Sequence, residues 1–473
     1  MKKVMTFLAL GTALSATAQE YAGFRSGNYT GVNGVFFNPA NIADSRHKFD
    51  FNLFSLNLGV GNDQAAFRLK DLKNTFDGDS LKNQVFGSEA GGSNGAVNVT
   101  VHGPSLMVGL GKKRSIAFTT RARAMANIVD IDGKLAKQLT DDFDLDDELP
   151  YTINSQNDMV MAVNGWTEFG LGYAEVLMDK KKHFLKGGAT LKYLGGALNA
   201  YMNIGNLKGT IDEDDIIDET YLRNATGRIA MGFGGVNASD FDVKDLFRMK
   251  SSGFGADLGF VYEFRPNYEK YRSDDKVRRD VHQYKLRVSV ALLDIGKIKY
   301  ERDVARSGSY DLNITDPERL SFKDLKDVDV DDFKKYFEDN PQYFTPVAGA
   351  SSSKYDVALP TSLQIDVDYS FTKNLYLSVA SQISLAETSG TKPYNPQYYN
   401  GFTLTPRLET KKFGLYLPIN YNELTELNAG VGLRFGSVFI GSGSVLSALV
   451  MDSKQADVYL GLHFGSLHKK KLK

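Results

Sequence analysis

The clearest pattern in the chain is a strict alternation of apolar and polar residues, which gives a β-strand one oily face and one wet face. Residues 362–371 follow this pattern, and a turn at residues 372–374 separates them from a second alternating run that ends at Leu385. Two such runs with a tight connection predict an antiparallel hairpin. The apolar positions of the first run are Leu363, Ile365, Val367, Tyr369 and Phe371, and its polar positions are Gln364, Asp366, Asp368 and Ser370.

The same alternation recurs along most of the chain, so the sequence predicts an all-β protein built from antiparallel hairpins. In residues 284–292 the predicted polar positions include Lys285 and Arg287. In residues 114–128 they include Arg121 and Arg123. Further predicted strands lie at residues 51–60, 97–110, 167–176, 184–202, 253–264, 403–409, 414–419, 427–435 and 457–464.

Strand and connection lengths favour a membrane-spanning barrel over a soluble β-sandwich, which shows the same alternation. Many predicted strands reach the ~9–11 residues that a tilted membrane strand needs, whereas sandwich strands typically have about 5–6. Short basic turns at one end alternate with long connections at the other, as in outer-membrane barrels. We therefore predict a transmembrane antiparallel β-barrel of about 14 strands, within a range of about 12 to 16. The long connections lie near residues 129–165, 203–224, 302–358 and 387–401.

Closure of the sheet also accounts for the polar face of each strand. Every strand of a barrel pairs with two neighbours, so the polar positions face a lumen rather than lipid. A barrel of this size is too wide for its wall side chains alone to fill, so we predict a plug. The residues predicted to supply lumen-facing charge are Arg121, Arg123, Lys285, Arg287, Asp366 and Asp368.

The beginning of the chain contains a different kind of sequence. Residues 1–18 combine two lysines, an apolar run and a final Ala-Thr-Ala, which is the pattern of a secretory signal peptide. Residues 19–48 show no alternation, and Pro39 removes a backbone donor. Their irregular backbone could not face lipid, yet the apolar residues 35–37 are unsuited to water. We therefore predict a luminal hatch whose motif is Phe36, Phe37, Asn38, Pro39 and Ala40. The predicted organisation is a signal peptide at residues 1–18, a hatch at 19–48, a barrel with long extracellular loops at 49–464 and a basic periplasmic tail at 465–473.

Composition and motifs argue against several other classes of function. A formal net charge of −1 argues against a nucleic-acid partner, and the absence of Cys removes disulfides and thiolate metal sites. The six His are scattered without His-Glu-x-x-His spacing, and the acidic runs at residues 141–148, 212–219 and 327–333 lack a calcium-loop motif. Glycine-rich stretches such as residues 253–259 lie within strand patterns, where we interpret glycine as allowing close packing and bending of the wall. The sequence therefore predicts no enzyme, no cofactor and no metal site.

Several stretches resemble known families. "GVNGVFFNPANIAD" (residues 31–44) resembles the N-terminal Asn-Pro-Ala segment of the long-chain fatty-acid transporter superfamily of outer-membrane barrels, in which this segment belongs to the hatch. "GATLKYLGGALNAY" (188–201), "GFGADLGFVYEF" (253–264) and "LLDIGKIKY" (292–300) are similar to wall strands of those barrels and of their Bacteroidetes relatives. Residues 405–447, from "TPRLETKK" to "GSGSVLS", resemble the C-terminal half of a Bacteroidetes barrel family of unknown function. The resemblance implies an outer-membrane barrel with a luminal N-terminal segment and identifies no residues that bind a substrate.

Two functions remain as the main alternatives. The first is a channel or transporter of small or hydrophobic solutes, in the outer membrane of a Gram-negative bacterium, with the hatch as its gate. The second is a scaffold that uses the barrel only as an anchor in an outer-membrane protein complex. An outer-membrane lipid hydrolase is a weaker third class, and a soluble exported binder is a weaker fourth. The expected partners are outer-membrane lipid and the barrel insertion machinery, to which the scaffold alternative adds other outer-membrane or periplasmic proteins.

Overall fold

The structure is a computed structural model that describes residues 20–64, 68, 92–135, 149–214, 219–237, 250–273, 276–326, 328–347, 352–388 and 392–469. The predicted signal peptide and the acidic run at residues 141–148 lie outside the described residues. Among the described residues, no helix has the length and apolar character needed to cross a membrane.

Strands make up most of the described chain, with a few short helices between them. The strands are β1 His47–Asn62, β2 Gly92–His102, β3 Ser105–Leu110, β4 Arg114–Asp132, β5 Tyr151–Asn154, β6 Met159–Lys180, β7 His183–Asp214, β8 Glu219–Gly235, β9 Ser251–Phe264, β10 Arg272–Ser273, β11 Lys276–Val277, β12 Leu286–Glu301, β13 Gly308–Ile314, β14 Leu320–Ser321, β15 Phe344–Pro346, β16 Lys354–Ala358, β17 Ser362–Ser370, β18 Leu375–Ser384, β19 Gly401–Glu409, β20 Phe413–Tyr416, β21 Ile419–Asn422, β22 Glu426–Ala429, β23 Val431–Phe435, β24 Val438–Ser442 and β25 Gln455–Leu467. The α-helices are α1 Phe322–Lys326, α2 Phe333–Asp339 and α3 Val445–Val450, and the 3-10 helices are Phe24–Ser26, Gly31–Phe36, Pro39–Ile42, Tyr268–Tyr271 and Val330–Asp332.

Within the described residues, fourteen antiparallel wall strands close into a barrel. Ten are continuous, and four are each built from two consecutive strands, namely β2 with β3, β16 with β17, β20 with β21 and β22 with β23. Three of the four breaks contain a proline, Pro104, Pro360 or Pro418, which cannot donate to the ladder. The first and last strands, β1 and β25, pair antiparallel and close the wall, with Phe51 opposite Phe464. The predicted all-β barrel and its strand number are confirmed.

The barrel has its polar residues inside and its apolar residues outside. The side chains of Arg123, Arg407 and Arg434 are almost completely buried, whereas Leu191 and Phe254 are 70% and 76% exposed. In water this arrangement would leave a large apolar surface uncovered, but in a bilayer the same surface contacts lipid tails. The exposed apolar belt therefore identifies the wall as a membrane-spanning one.

The apolar belt predicts how the protein behaves when cells are fractionated. The protein should sediment with membranes, stay there after a salt wash, and migrate faster in a detergent gel when unheated than after boiling. A closed barrel resists the detergent until heat breaks its cooperative ladder, which gives the two mobilities. Recovery as a soluble species with a single mobility would contradict a membrane-spanning barrel.

One end of the barrel extends far beyond the belt. Strand β7 has 32 residues, three times the ~9–11 that span a membrane. Its distal half pairs with β8, which pairs in turn with β13 and β14. Helices α1 and α2 pack on this extension around a buried core that includes Ile211, Leu222, Leu312, Phe337 and Phe344. Much of this region lies in the long connections predicted from the sequence. Beyond the belt the exposed strand positions are polar, so the alternation typical of a lipid-facing strand is lost there.

Candidate functional site in the barrel lumen

Residues 20–46, called the N-terminal segment below, precede β1 and lie inside the barrel. The backbone amide of Val32 donates to Asp50 Oδ1 on β1 at 2.8 Å, and Asn38 Nδ2 donates to Ser289 Oγ on β12, across the lumen, at 2.9 Å. Three 3-10 helices join into a compact, largely buried chain rather than a strand. The predicted hatch residues therefore lie in the lumen, while their role as a gate stays a prediction.

Four aromatic side chains of the N-terminal segment belong to a luminal group of rings, the aromatic cluster. Phe36 stacks on His102 of β2 with ring centroids 3.7 Å apart, and Phe24 stacks on Phe439 of β24 at 3.8 Å. The guanidinium of Arg121 lies 5.3 Å from the Phe36 ring, within the range of a cation–π contact. The members of the aromatic cluster are Tyr21, Phe24, Phe36, Phe37, Tyr416, Phe439 and Tyr459.

The turn at Asn38-Pro39-Ala40 rests on two glycines of the wall. Asn38 caps the 3-10 helix that begins at Pro39, since its Oδ1 accepts from the amide of Ala40 at 2.8 Å. A Cβ at Gly188 would lie 2.6 Å from the Ala40 nitrogen, and a Cβ at Gly259 would collide with the Asn38 carboxamide. Gly188 on β7 lies directly opposite Gly259 on β9. Because neither residue has a side chain, the turn can lie directly against the wall at this point.

A balanced set of buried charges, the central charge cluster, crosses the lumen beside the aromatic cluster. Arg121 Nη2 lies 2.9 Å from Asp294 Oδ1, and Arg123 Nη1 lies 2.8 Å from Asp294 Oδ2. Lys192 Nζ lies 2.7 Å from Asp257 Oδ1 on the neighbouring strand. Three cations thus face three carboxylates, and the cluster is formally neutral. Its members are Arg121, Arg123, Glu168, Lys192, Asp257 and Asp294.

The two arginines of this cluster lie in the lumen as predicted, whereas the luminal position of Asp294 was not predicted. A simple alternation from Leu292 would place Asp294 on the lipid side. Instead β12 shifts register between Leu292 and Ile295, and Asp294 adopts a φ of 58°. Leu293 and Asp294 are consequently both buried, as expected when a bulge inserts one residue into a strand.

Two further segments meet over the central charge cluster. From the N-terminal segment, Glu20 Oε1 accepts from Thr100 Oγ1 at 2.8 Å and lies 3.6 Å from Arg123 Nη2. From the opposite end, residues 392–400 descend into the barrel, and the Tyr398 hydroxyl contacts both Arg123 and Glu20. Burial raises the pKa of Tyr398 above its usual value, so its hydroxyl stays protonated and can donate to Glu20.

Three of the other predicted luminal charges, Arg287, Asp366 and Asp368, belong to a second group, the Arg407 cluster. Arg407 and Asp368 make a bidentate pair with N–O distances of 2.9 and 2.7 Å, and Arg287 Nη2 lies 3.2 Å from Asp368 Oδ2. The N-terminal segment contacts this cluster through the amide of Asn28, which donates to Glu409 Oε2 at 3.0 Å. Arg25 of the segment also lies 3.6 Å from Asp366. The members of the Arg407 cluster are Arg287, Asp366, Asp368, Arg407 and Glu409.

A third group, the rim cluster, lies at the short-turn end of the barrel. Asp44 Oδ2 is 2.8 Å from Arg265 Nη2, and Lys186 Nζ donates to the Ala43 carbonyl at 2.9 Å. Burial opposes ionisation of Asp44, but Arg46, Arg265 and Arg279 outweigh it and hold the pKa of Asp44 well below its usual range. The rim cluster comprises Asp44, Arg46, Lys186, Glu263 and Arg265.

Lys285 does not join these luminal charges, contrary to the prediction. Its Nζ donates to the Ser370 carbonyl at 2.6 Å and lies 4.5 Å from the ring of Tyr369, a residue exposed on the lipid side. Strand β12 begins only at Leu286, so its alternation does not extend back to Lys285. For the same reason Tyr284, predicted on the oily face, is buried and donates to Asp368 at 2.6 Å.

The N-terminal segment and the adjoining wall enclose a small cavity. This cavity of about 30 Å³ is lined by both, including Asn28, Asp44, Lys186 and Arg287. That volume holds one or two water molecules. In this part of the lumen the segment therefore fills the space that a solute would need.

Three buried side chains in the lumen could together hold a metal ion, although the sequence predicted no metal site. His47, Asp50 and His463 each offer one donor atom, and the three atoms lie within 4.8 Å of one another. All three side chains are buried at the seam between β1 and β25. The residues come from opposite ends of the chain, so no local spacing could have indicated the group.

The fold and the luminal site define a class of protein, namely a closed fourteen-stranded membrane β-barrel whose N-terminal segment occupies its lumen. The chain belongs to a family of unknown function, DUF5723, which matches residues 39–443. The predicted unknown-function barrel family is thereby confirmed, while its Bacteroidetes origin stays a prediction. No curated protein matches the sequence.

Solved structures similar to this chain include two toluene transporters and a FadL homologue. The Ralstonia pickettii toluene transporter TbuX is 11% identical with a TM-score of 0.42, covering 96% of this chain and 97% of its own. A Pseudomonas aeruginosa FadL homologue is 10% identical with a TM-score of 0.42, covering 95% and 97%. The Pseudomonas putida toluene transporter TodX is 10% identical with a TM-score of 0.34, covering 95% and 96%. Because these TM-scores are below 0.5, the function proposed below rests on this chain's own contacts.

Proposed function

We propose that this chain is an outer-membrane channel of a Gram-negative bacterium, in which the N-terminal segment is a displaceable hatch for small or hydrophobic solutes. The observation that carries the proposal is the set of polar contacts by which the segment fills the lumen between opposite walls. The proposal involves no catalysed reaction. Its partners are the lipid around the apolar belt and the machinery that inserts barrels.

Polar contacts between the hatch and the wall make displacement feasible. The segment contacts the wall through hydrogen bonds, such as the one that the Thr100 hydroxyl donates to Glu20 and the one that the Asn28 amide donates to Glu409. Water can replace each of these hydrogen bonds at little cost. The six wall charges of the central charge cluster balance without Glu20, so departure of the segment leaves no unpaired charge there.

The aromatic cluster supports hydrophobic or aromatic solutes. Phe36 and Phe37 of the hatch pack against wall rings that include Tyr416 and Tyr459. When the hatch moves, these wall rings would present apolar faces and edges at the positions that the two phenylalanines occupied. A flat apolar solute could make the same stacked or edge contacts in their place.

A disulfide that ties the hatch to the wall tests the proposal directly. The chain has no Cys, and a Cβ at Gly443 would lie 3.1 Å from the Ala22 Cβ, near the ~3.5–4.5 Å of a disulfide. We expect cells carrying the oxidised Ala22→Cys, Gly443→Cys protein to take up N-phenyl-1-naphthylamine no faster than cells without the protein. Reduction with dithiothreitol should restore the wild-type rate.

The matched control places the disulfide inside the hatch. A Cβ at Gly34 would lie 3.3 Å from the Asn41 Cβ, and both positions belong to the N-terminal segment. The Gly34→Cys, Asn41→Cys protein should therefore transport equally well when oxidised and when reduced. Equal uptake by the oxidised and reduced forms of the wall-tethered protein, with the disulfide formed, would rule out gating by this segment.

A scaffold anchored by the barrel is the second candidate function. It is favoured by the dense filling of the described lumen, where the hydroxyl of Tyr398, from residues 392–400, lies 3.2 Å from Glu20 Oε1 of the N-terminal segment. In this case the extension built on the distal half of β7, with α1 and α2, would supply the contact surface. Proteins that co-purify with the full chain and are lost when residues 302–347 are removed would support the scaffold.

A further inference from the structure

We infer that His47, Asp50 and His463 form a binding site for a divalent transition-metal ion such as Zn²⁺. The site joins the first and last wall strands, since His47 and Asp50 belong to β1 and His463 belongs to β25. It is separate from the proposed gating function, and it would be present in a scaffold as well as in a channel.

The geometry of the three side chains suits a metal ion better than a hydrogen-bonded triad. His463 Nδ1 lies 2.8 Å from Asp50 Oδ2, but His47 Nε2 lies 3.7 Å from the same oxygen, too far for a hydrogen bond. Donor atoms bound to one tetrahedral Zn²⁺ at ~2.0–2.2 Å are about 3.3–3.5 Å apart. Small movements of the two imidazoles would therefore place all three donors around a single ion, with a fourth position left open.

The imidazoles are buried with part of their bonding capacity unused. Neither His47 Nδ1 nor His463 Nε2 has a hydrogen-bond partner among the described residues, although both atoms are shielded from water. The nitrogens that converge on Asp50 Oδ2 are the opposite ones, His47 Nε2 and His463 Nδ1. Because no hydrogen bond from a described residue fixes the far nitrogen of either ring, both imidazoles are free to make the small movements that a common ion requires. A bound cation would then give His47 Nε2, His463 Nδ1 and the carboxylate a common partner.

Neighbouring residues hold the carboxylate and leave it room. The Val32 amide donates to Asp50 Oδ1 at 2.8 Å, which leaves Oδ2 directed at the histidines. Support of a ligating carboxylate by a second hydrogen bond is typical of metal sites. A Cβ at Gly465 would collide with His47 and with Asp50 Oδ2, so glycine at this position on β25 keeps the space that the two ligands occupy.

The donor set also selects the kind of ion. Two imidazole nitrogens and one carboxylate suit Zn²⁺, Cu²⁺ or Ni²⁺, whereas Ca²⁺ and Mg²⁺ prefer oxygen ligands. Zn²⁺ and Co²⁺ are therefore the probes of choice, with Ca²⁺ as the contrasting ion.

The test uses the full mature chain in detergent micelles, carrying an affinity tag without histidine and stripped with a chelator. We expect titration calorimetry to show one Zn²⁺ bound per chain, no heat with Ca²⁺, and visible d–d absorption when Co²⁺ is added. His47→Gln and His463→Gln should each weaken Zn²⁺ binding by about tenfold or more, since each removes a ligand. The exposed His183, on β7, supplies the control, and His183→Gln should bind as the wild type does.

The folding of each variant is checked by its heat-dependent mobility in a detergent gel. If a histidine variant does not insert, Asp50→Asn takes its place, because the asparagine oxygen still accepts the hydrogen bond from the Val32 amide. Absence of Zn²⁺ binding by the folded wild-type protein would overturn the inference. Wild-type affinity in the ligand variants, or loss of binding in His183→Gln, would do the same, because the ion would then lie elsewhere.

Discussion

Deletion of residues 20–44 is expected to leave a folded barrel whose planar-bilayer conductance is about tenfold or more above that of the intact protein. The wall is closed by hydrogen bonds between neighbouring strands, including β1 with β25, and none of these ladders uses the deleted residues. The deleted residues occupy the lumen between β1 and β12. Uptake of N-phenyl-1-naphthylamine should rise together with the conductance.

A smaller change in the same region should have a smaller effect. Phe36→Ala combined with Phe37→Ala removes two rings from the aromatic cluster but keeps the polar contacts of the hatch, so we expect a partial rise in both readouts. Phe371 and Phe402 are exposed on the lipid side and provide the matched control. Their replacement by Ala removes the same mass from outside the barrel and should leave conductance unchanged.

The deletion also separates the two candidate functions. Under the scaffold alternative, conductance should stay flat because residues 392–400 and packed wall side chains still block the lumen, while the set of co-purifying proteins changes. A folded deletion variant with unchanged conductance and unchanged uptake would therefore contradict the hatch. Failure of the variant to fold would show that the segment is part of the wall structure.

The wall could be predicted from sequence because its pattern is local. The alternation from Leu363 to Phe371 corresponds to β17, where Gln364 and Asp368 are buried and Ile365 and Val367 are exposed to lipid. A period of two residues shows in a few consecutive positions and needs no knowledge of partners. Strand number and barrel class follow from counting such segments.

The luminal site could be predicted only in part, because its contacts join distant positions. Arg121 was recognised as luminal from its own strand, but Asp294 was not, since a bulge in β12 reverses the alternation there. The role of Gly188 and Gly259 was also missed. From sequence, glycine within a strand indicates close packing or bending of the wall, whereas these two make room for the turn at residues 38–40.

Arg407→Met should destabilise the barrel by about 3–5 kcal/mol, because it breaks a buried ion pair and leaves the buried carboxylates of Asp368 and Glu409 with only Arg287 as a cation of the Arg407 cluster. The Arg407 side chain is fully buried, and its bidentate contact with Asp368 is supported by Ser378 Oγ at 3.0 Å. Arg407→Lys should have an intermediate effect, since an ammonium group cannot form the two parallel hydrogen bonds. The free energy of unfolding can be followed in detergent with guanidinium chloride through Trp166, the one Trp of the chain, which is buried against Arg123.

The control for this loss is an ion pair of the same type that faces water. Arg228 and Asp311 form a 2.8 Å pair on the extension beyond the membrane, with side chains 59% and 49% exposed. Exposed pairs contribute about 0–1 kcal/mol, so Arg228→Met should hardly move the unfolding midpoint. If Arg407→Met cost no more than Arg228→Met, water would have to reach Asp368 in the folded protein. The lumen around the Arg407 cluster would then be hydrated rather than filled by the N-terminal segment.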